Sequence, residues 1–206
     1  MKYTDIVKHA KKITKAKHLN ALPVLKGMYM DDNKIYATDK HRLFSINHTH
    51  QYNNTVMDLK NESVTTDHNY PNVNRILENK DYTIQSELTH TDVTQAIILL
   101  KAITSLKVKL VELNTSENHI LISSYSREHK NIQIPFKLKI SESFTDKSFK
   151  TYVNAKYLLE MFEFIKDTND DTNYLYFNTP FTALRSSSKN EDFNYILLPV
   201  RIDKEI

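Results

Sequence analysis

The sequence contains no cysteine and a single glycine, Gly27, among its 206 residues. The first absence removes disulfides and thiolate zinc sites together and fits a reducing, cytoplasmic setting. The second excludes more. Loops that cradle phosphate need several glycines for tight turns and close backbone approach. With Gly27 alone there is no Walker loop, no dinucleotide fingerprint and no Gly-x-Ser-x-Gly elbow. Long apolar runs are missing too: no stretch approaches the roughly 18 residues of a membrane span. Met1-Lys2-Tyr3-Thr4-Asp5 runs straight into a lysine-rich stretch without a signal-peptide core. No cofactor is expected.

The hydrophobic fraction of 40% and charged fraction of 26% are those of a globular protein with one or two cores. Net charge is a modest +3, but residues 1–17 hold Lys2, Lys8, Lys11, Lys12, Lys15 and Lys17 against Asp5 alone. A helix is predicted from Thr4 to His18. At about 100° per residue, Ile6, Val7, Ala10, Ile13 and Thr14 share one side. Lys8, Lys11, Lys12 and Lys15 share the other, and Pro23 prevents continuation. Such a lysine stripe suits a polyanion, and a solvated helix face carries the same pattern.

Strands are predicted at Gly27–Asp31, Lys34–Ala37 and Arg42–Asn47, with weaker ones at Thr55–Leu59 and Ser63–Thr66. Tyr70 to Lys80 reads as a connector. From Asp81 the pattern is regular. A strand at Tyr82–Ser86 precedes a helix at Thr91–Ser105 and strands at Val108–Leu113, His119–Tyr125 and Asn131–Phe136. After the polar stretch Ser141–Lys147 the order recurs. A strand at Phe149–Val153 precedes a helix from an Asn154 cap to Lys166. Strands follow at Tyr174–Asn178, Ala183–Ser187 and Tyr195–Arg201. Residues 81–202 thus read as β-α-β-β-β twice, a repeat of architecture rather than of sequence.

Four motifs carry a resemblance. Ala37-Thr38-Asp39-Lys40-His41-Arg42-Leu43 resembles Ala-Thr-Asp-Gly-His-Arg-Leu in the middle domain of the bacterial DNA polymerase III β sliding clamps. Tyr70-Pro71-Asn72-Val73-Asn74-Arg75-Ile76-Leu77 is similar to the Phe-Pro-Asp-Tyr-x-Arg-Val-Leu that ends that domain. Tyr152-Val153-Asn154-Ala155-Lys156-Tyr157-Leu158-Leu159 resembles the entry to the family's last helix, and Tyr195 to Ile202 its terminal Tyr-x-x-x-Pro-x-Arg. The order matches the family's second and third domains. The resemblance implies an α+β DNA-clamp fold, with helices on one face of curved antiparallel sheets. It implies a trimmed middle-type domain at 1–79 and a complete last-type domain at 80–206. The family's first domain is missing, and residues 48–69 are too short and polar to supply the second half's helix.

In that family a groove binds short peptides of polymerases and clamp loaders. The resemblance places Leu25, Thr38, His41, Arg42, Leu43, Ile196, Leu198, Pro199, Val200 and Arg201 in it. Lys40 stands where the family has glycine, and Glu78 where it has proline. The terminal residues also read as a plain core strand. The resemblance further implies duplex DNA as a partner, contacted by Lys8, Lys11, Lys12 and Lys15 through phosphate. The later helices fit a DNA wall poorly. The first presents Ile98, Leu99 and Ala102 opposite its core face, beside Lys101, which suits a contact surface. The last presents Glu160, Glu163 and Asp167 beside Lys156 and Lys166.

His48-x-His50 could share a strand face, but no further ligand stands beside the pair, so no metal is expected. Asp39-x-His41 resembles part of a triad, yet no serine elbow accompanies it. No catalytic residues are expected, and the chain is read as a non-enzyme. Clamp rings of the wider family hold six domains, so a two-domain subunit would form a homotrimer that serves a polymerase in phage or mobile-element replication. The rival reading is a clamp-derived adaptor or inhibitor that does not encircle DNA.

Overall fold

The computed structural model describes residues 1–16, 19, 22–66, 69–78, 80–116, 119–125, 136–139, 142–143 and 150–202. The chain divides into two compact units. Unit 1 comprises Met1–Lys80 with Asn190–Ile196, and unit 2 comprises Asp81–Lys189 with Leu197–Ile206.

Unit 1 opens with helix α1, Tyr3–Thr14, shorter than its apolar pattern allows. Lys17 and His18, the last two residues of the predicted helix, fall outside the described residues. Ile6, His9, Ala10, Ile13 and Thr14 are its buried positions. The buried arc is therefore turned toward His9, and Val7, predicted to lie in the core, is half-buried. A 3-10 turn at Pro23–Lys26 follows. The strands are β1 Gly27–Asp31, β2 Lys34–Thr38, β3 Arg42–Asn47, β4 Thr55–Asp58 and β5 Val64–Thr66. A four-residue helix α2, Asn74–Leu77, interrupts the predicted connector.

Strand β14, Phe193–Leu197, returns from the far end of the sequence and flanks β3, giving the order β14-β3-β2-β1-β4-β5 within this unit. The pairing register Met30↔Ile35 and Ala37↔Phe44 places Met30, Ile35, Ala37 and Phe44 on one face, where all four are buried. The other face carries Tyr29 and Tyr36, with rings 5.8 Å apart. Tyr70 stacks on Tyr29 at 4.5 Å, and the Tyr36 hydroxyl donates to Asn74 Oδ1 at 3.4 Å. Residues 70–77 thus contact the sheet face that carries Tyr29 and Tyr36.

Gly27 shows why one glycine survives. Its backbone is extended, at φ −108, so conformational freedom is not the reason. A Cβ there would sit 2.5 Å from the Met57 carbonyl oxygen and from Val56 Cγ1, closer than any side chain can approach. Positions where the chain does need a left-handed backbone are occupied by other residues, among them Asn33, Lys40, Glu62, Lys107 and Asn169. For a lysine or glutamate that conformation costs about 1–2 kcal/mol relative to the right-handed one.

Unit 2 holds the two predicted repeats. The first is β6 Ile84–Leu88, α3 His90–Ser105, β7 Leu110–Ser116, β8 His119–Tyr125 and β9 Phe136–Lys139. The second starts with β11 Lys150–Asn154, α4 Ala155–Thr168, β12 Asn173–Phe177 and β13 Leu184–Ser188. Its final strand is β14, which clusters with unit 1. The leading strands are exchanged: β6 pairs β12 antiparallel, and β11 pairs β7 antiparallel. The sheets run β10-β6-β12-β13, where β10 is the two-residue Glu142–Ser143, and β11-β7-β8-β9. Residues 131–135 and 149, predicted to be strand, and 144–147 of the polar stretch lie outside the described residues.

Helices α3 and α4 pack against each other. Thr89 and Asp92 form a capping box on α3. Asn154 caps α4 as its sequence predicts, with Oδ1 accepting from the N–H of Lys156 at 3.0 Å and of Tyr157 at 3.2 Å. Two expectations are corrected here. Leu99 of α3, predicted on its outer face, is buried, and so is Glu160 of α4. No helix among the described residues is long and apolar enough to cross a membrane.

Candidate functional site

The turn joining β2 to β3 is closed by several short hydrogen bonds. The carboxylate of Asp39 is fully buried. Its Oδ1 accepts the backbone N–H groups of His41 and Arg42, both at 3.0 Å. Its Oδ2 accepts Nε of Arg42 at 3.0 Å. The same guanidinium donates through Nη2 to the carbonyl of Lys12 at 3.0 Å. Lys12 lies in the last turn of α1, where carbonyls lack intrahelical partners. One buried cation therefore closes the turn and caps the helix in a favourable sense for its dipole. Thr38 Oγ1 completes the turn by donating to the Arg42 carbonyl at 2.8 Å.

These bonds assign the motif's residues distinct physical roles. Arg42 is buried and engaged. Thr38, Leu25, Leu43 and Ile196 are buried as well. His41 is exposed, as is Lys40, whose φ is 73. The Asp39 carboxylate receives the backbone of His41, an Asx-turn arrangement, so the pair is organised as a turn rather than as a triad fragment.

The terminal strand β14 ends at Leu197, four residues earlier than predicted. The reason is visible in the next bond: the Val200 N–H donates to the Tyr152 carbonyl at 2.7 Å, which draws residues 198–202 onto β11. Leu198 is 43% and Val200 36% exposed. Pro199 is half-buried and Arg201 exposed. On the same strand Thr151 Oγ1 donates to the Pro180 carbonyl at 2.8 Å, and Phe181 beside it is 73% exposed. Adjacent residues of β11 thus hold two exposed apolar segments, of which the sequence motifs flag one. Tyr152 also donates to Glu112 Oε2 at 3.0 Å, and burial, then that bond, push its hydroxyl up to about 12.

On α1, Lys8 and Lys15 are exposed while Lys11 and Lys12 are half-buried at the borders of the stripe. On α3, Ile98 is 64% exposed and Ala102 is exposed beside it. Lys101 of α3 pairs with Glu163 of α4 at 3.7 Å, so one acid of the last helix is partly neutralised. Asp167 is half-buried, and Lys156 and Lys166 are exposed.

The two histidines are held separately. His48 stacks on Tyr3 at 5.6 Å, and burial, then its neighbour His50, hold its pKa below the usual value. The His50 ring contacts the Lys34 carbonyl at 3.0 Å. No metal-ligating cluster of three or more side chains occurs among the described residues.

Helix-led repeats with exchanged strands, and antiparallel sheets behind a packed helix pair, define the fold of the DNA sliding clamps. The chain is similar to the DNA polymerase III beta chain of Streptococcus pneumoniae TIGR4, with 17% identity and a TM-score of 0.71 over 97% of this chain and 63% of that one. It is similar to the beta sliding clamp of Caulobacter crescentus, with 16% identity and a TM-score of 0.73 over 97% and 64%. The DNA polymerase III subunit beta of Pseudomonas aeruginosa gives 14% and 0.70 over 96% and 65%. The chain spans just under two thirds of the length of these clamps. No protein-family model and no curated protein sequence matches it.

Proposed function

We propose that this chain is a sliding-clamp-like processivity factor that binds duplex DNA and the clamp-binding peptides of replication proteins. The observation that carries the reading is a clamp fold matched over 97% of the chain. The lysine stripe of α1 supports a sequence-independent phosphate contact. Of the residues assigned to peptide binding, His41 of unit 1 is exposed, and so are Leu198, Val200 and Arg201 of unit 2. Six clamp domains per ring require three such chains.

Sedimentation of the full chain tests the assembly. Three subunits of 24.2 kDa give a species of about 73 kDa. A monomer at all concentrations, with and without DNA, contradicts the ring.

The exposed Ile98 of α3 and the carboxylates of α4 favour a second reading, a clamp-derived adaptor that binds replication proteins without encircling DNA. A monomer that still captures a clamp-binding peptide, and shows no salt-dependent affinity for duplex DNA, is its signature.

A further inference from the structure

We infer that α3 carries the counterpart of the α1 lysine row, and that Gln95, Ile98 and Ala102, which stand there in place of lysines, confine phosphate binding to unit 1. The inference rests on the DNA-binding reading and names the positions that decide which unit supplies its cations.

Both units contain the same module. Helix α1 is followed by β1, β2 and β3, and α3 by β7, β8 and β9. In each case a later strand returns antiparallel to the first of the three, so the sheets contain the orders β4-β1-β2-β3 and β11-β7-β8-β9. The helices also match by burial. Ile6, His9, Ala10 and Ile13 of α1 are buried, and so are Val93, Ala96, Ile97 and Leu100 of α3. Both sets follow the i, i+3, i+4, i+7 spacing of a core-facing stripe. With Ile6 set on Val93, Lys8, Lys11 and Lys15 fall on Gln95, Ile98 and Ala102. Gln95 and Ala102 are exposed and Ile98 is 64% exposed, so these positions face solvent as Lys8 and Lys15 do. The two buried arcs differ only at their margins. Helix α3 also packs against α4, and it buries Leu99 where α1 has half-buried Lys12. Lys101 is exposed where Thr14 is buried.

Charge separates the two faces. From Tyr3 to Lys15, four lysines stand against Asp5, whereas from His90 to Ser105 one lysine, Lys101, stands against Asp92. Lys101 is paired with Glu163 at 3.7 Å, and Asp92 is held in the α3 capping box. Sequence-independent binding of a duplex needs cations at successive phosphates. The α1 face supplies them. The matching α3 face, with an isoleucine at its centre, supplies none.

The test uses the full chain and a duplex of about 30 base pairs, with affinity measured by fluorescence anisotropy across a salt series. Changing Lys101, Lys156 and Lys166 of α3 and α4 to glutamine should leave the slope of log affinity against log salt unchanged. In a chain whose Lys8, Lys11, Lys12 and Lys15 are replaced by glutamine, adding Gln95→Lys, Ile98→Lys and Ala102→Lys should restore a slope of about 3, one per lysine. Scattering three lysines over other exposed positions of that background, as His119→Lys, Phe181→Lys and Asn190→Lys, should restore less than about one. A slope that falls with the unit 2 lysines overturns the confinement. A graft on α3 no better than the scattered control overturns the match between the helices. Either result leaves the DNA reading standing, whereas a slope that survives loss of the α1 lysines overturns both.

Discussion

Arg42→Ala should lower the stability of the full chain by about 3–5 kcal/mol, the cost of leaving a buried carboxylate without its cation. Asp39 is fully buried and Arg42 is 3% exposed, so water does not replace the lost partner. The same substitution strands the Lys12 carbonyl at the end of α1, loosening the helix that carries the lysine stripe. Arg42→Lys should rescue little, because one ammonium cannot supply Nε to Asp39 and Nη2 to Lys12 in the same fixed geometry. Replacing Asp39 and Arg42 together by apolar residues of similar volume should cost less than either single change. Urea unfolding followed by far-ultraviolet circular dichroism measures all four variants. A loss below about 1 kcal/mol for Arg42→Ala would show that the pair is solvated, contrary to its burial.

Replacing Lys8, Lys11, Lys12 and Lys15 together by glutamine should lower the salt slope of duplex binding by about 3–4 and the affinity near physiological salt by about two orders of magnitude. The fold should survive, because these side chains are exposed or half-buried and Arg42 is bonded to the backbone of Lys12 rather than to its ammonium. Glutamine keeps the helical preference of lysine. The variant therefore separates charge from structure. An unchanged circular dichroism spectrum with lost binding assigns the stripe to phosphate. An unchanged salt slope makes it a wet surface.

Much of this architecture was legible because its signals are periodic or local. The β1 and β3 boundaries follow from alternation and flanking turn residues. The start of α4 follows from one asparagine whose side chain accepts two helix-terminal N–H groups. The exchanged strands were not legible: β6 and β12 pair across roughly 90 residues, and no local pattern encodes which sheet a strand joins. Leu99 shows the limit of helical periodicity, since α3 is covered on more than one side and buries a residue that a single core stripe excludes. Strand β13 hides Ser186, Ser187 and Ser188 completely or nearly so, against any hydropathy pattern, and the Ser186 hydroxyl finds the Tyr174 carbonyl at 2.8 Å.

The site residues divide in the same way. The turn motif was visible as a motif, but its chemistry depends on depth. Burial turns Arg42 from an available cation into a structural pin and leaves His41 and Lys40 as the groups a partner can touch. Phe181 escaped notice because a lone exposed aromatic in a loop has no sequence signature. The Thr151 hydrogen bond to Pro180 places it beside β11.

Encirclement is tested most directly on circular DNA. After loading onto a nicked plasmid, the chain should stay bound through high-salt gel filtration and be released when one restriction cut linearises the circle. Retention that is equal on circular and linear DNA, or absent from both, would contradict a closed ring.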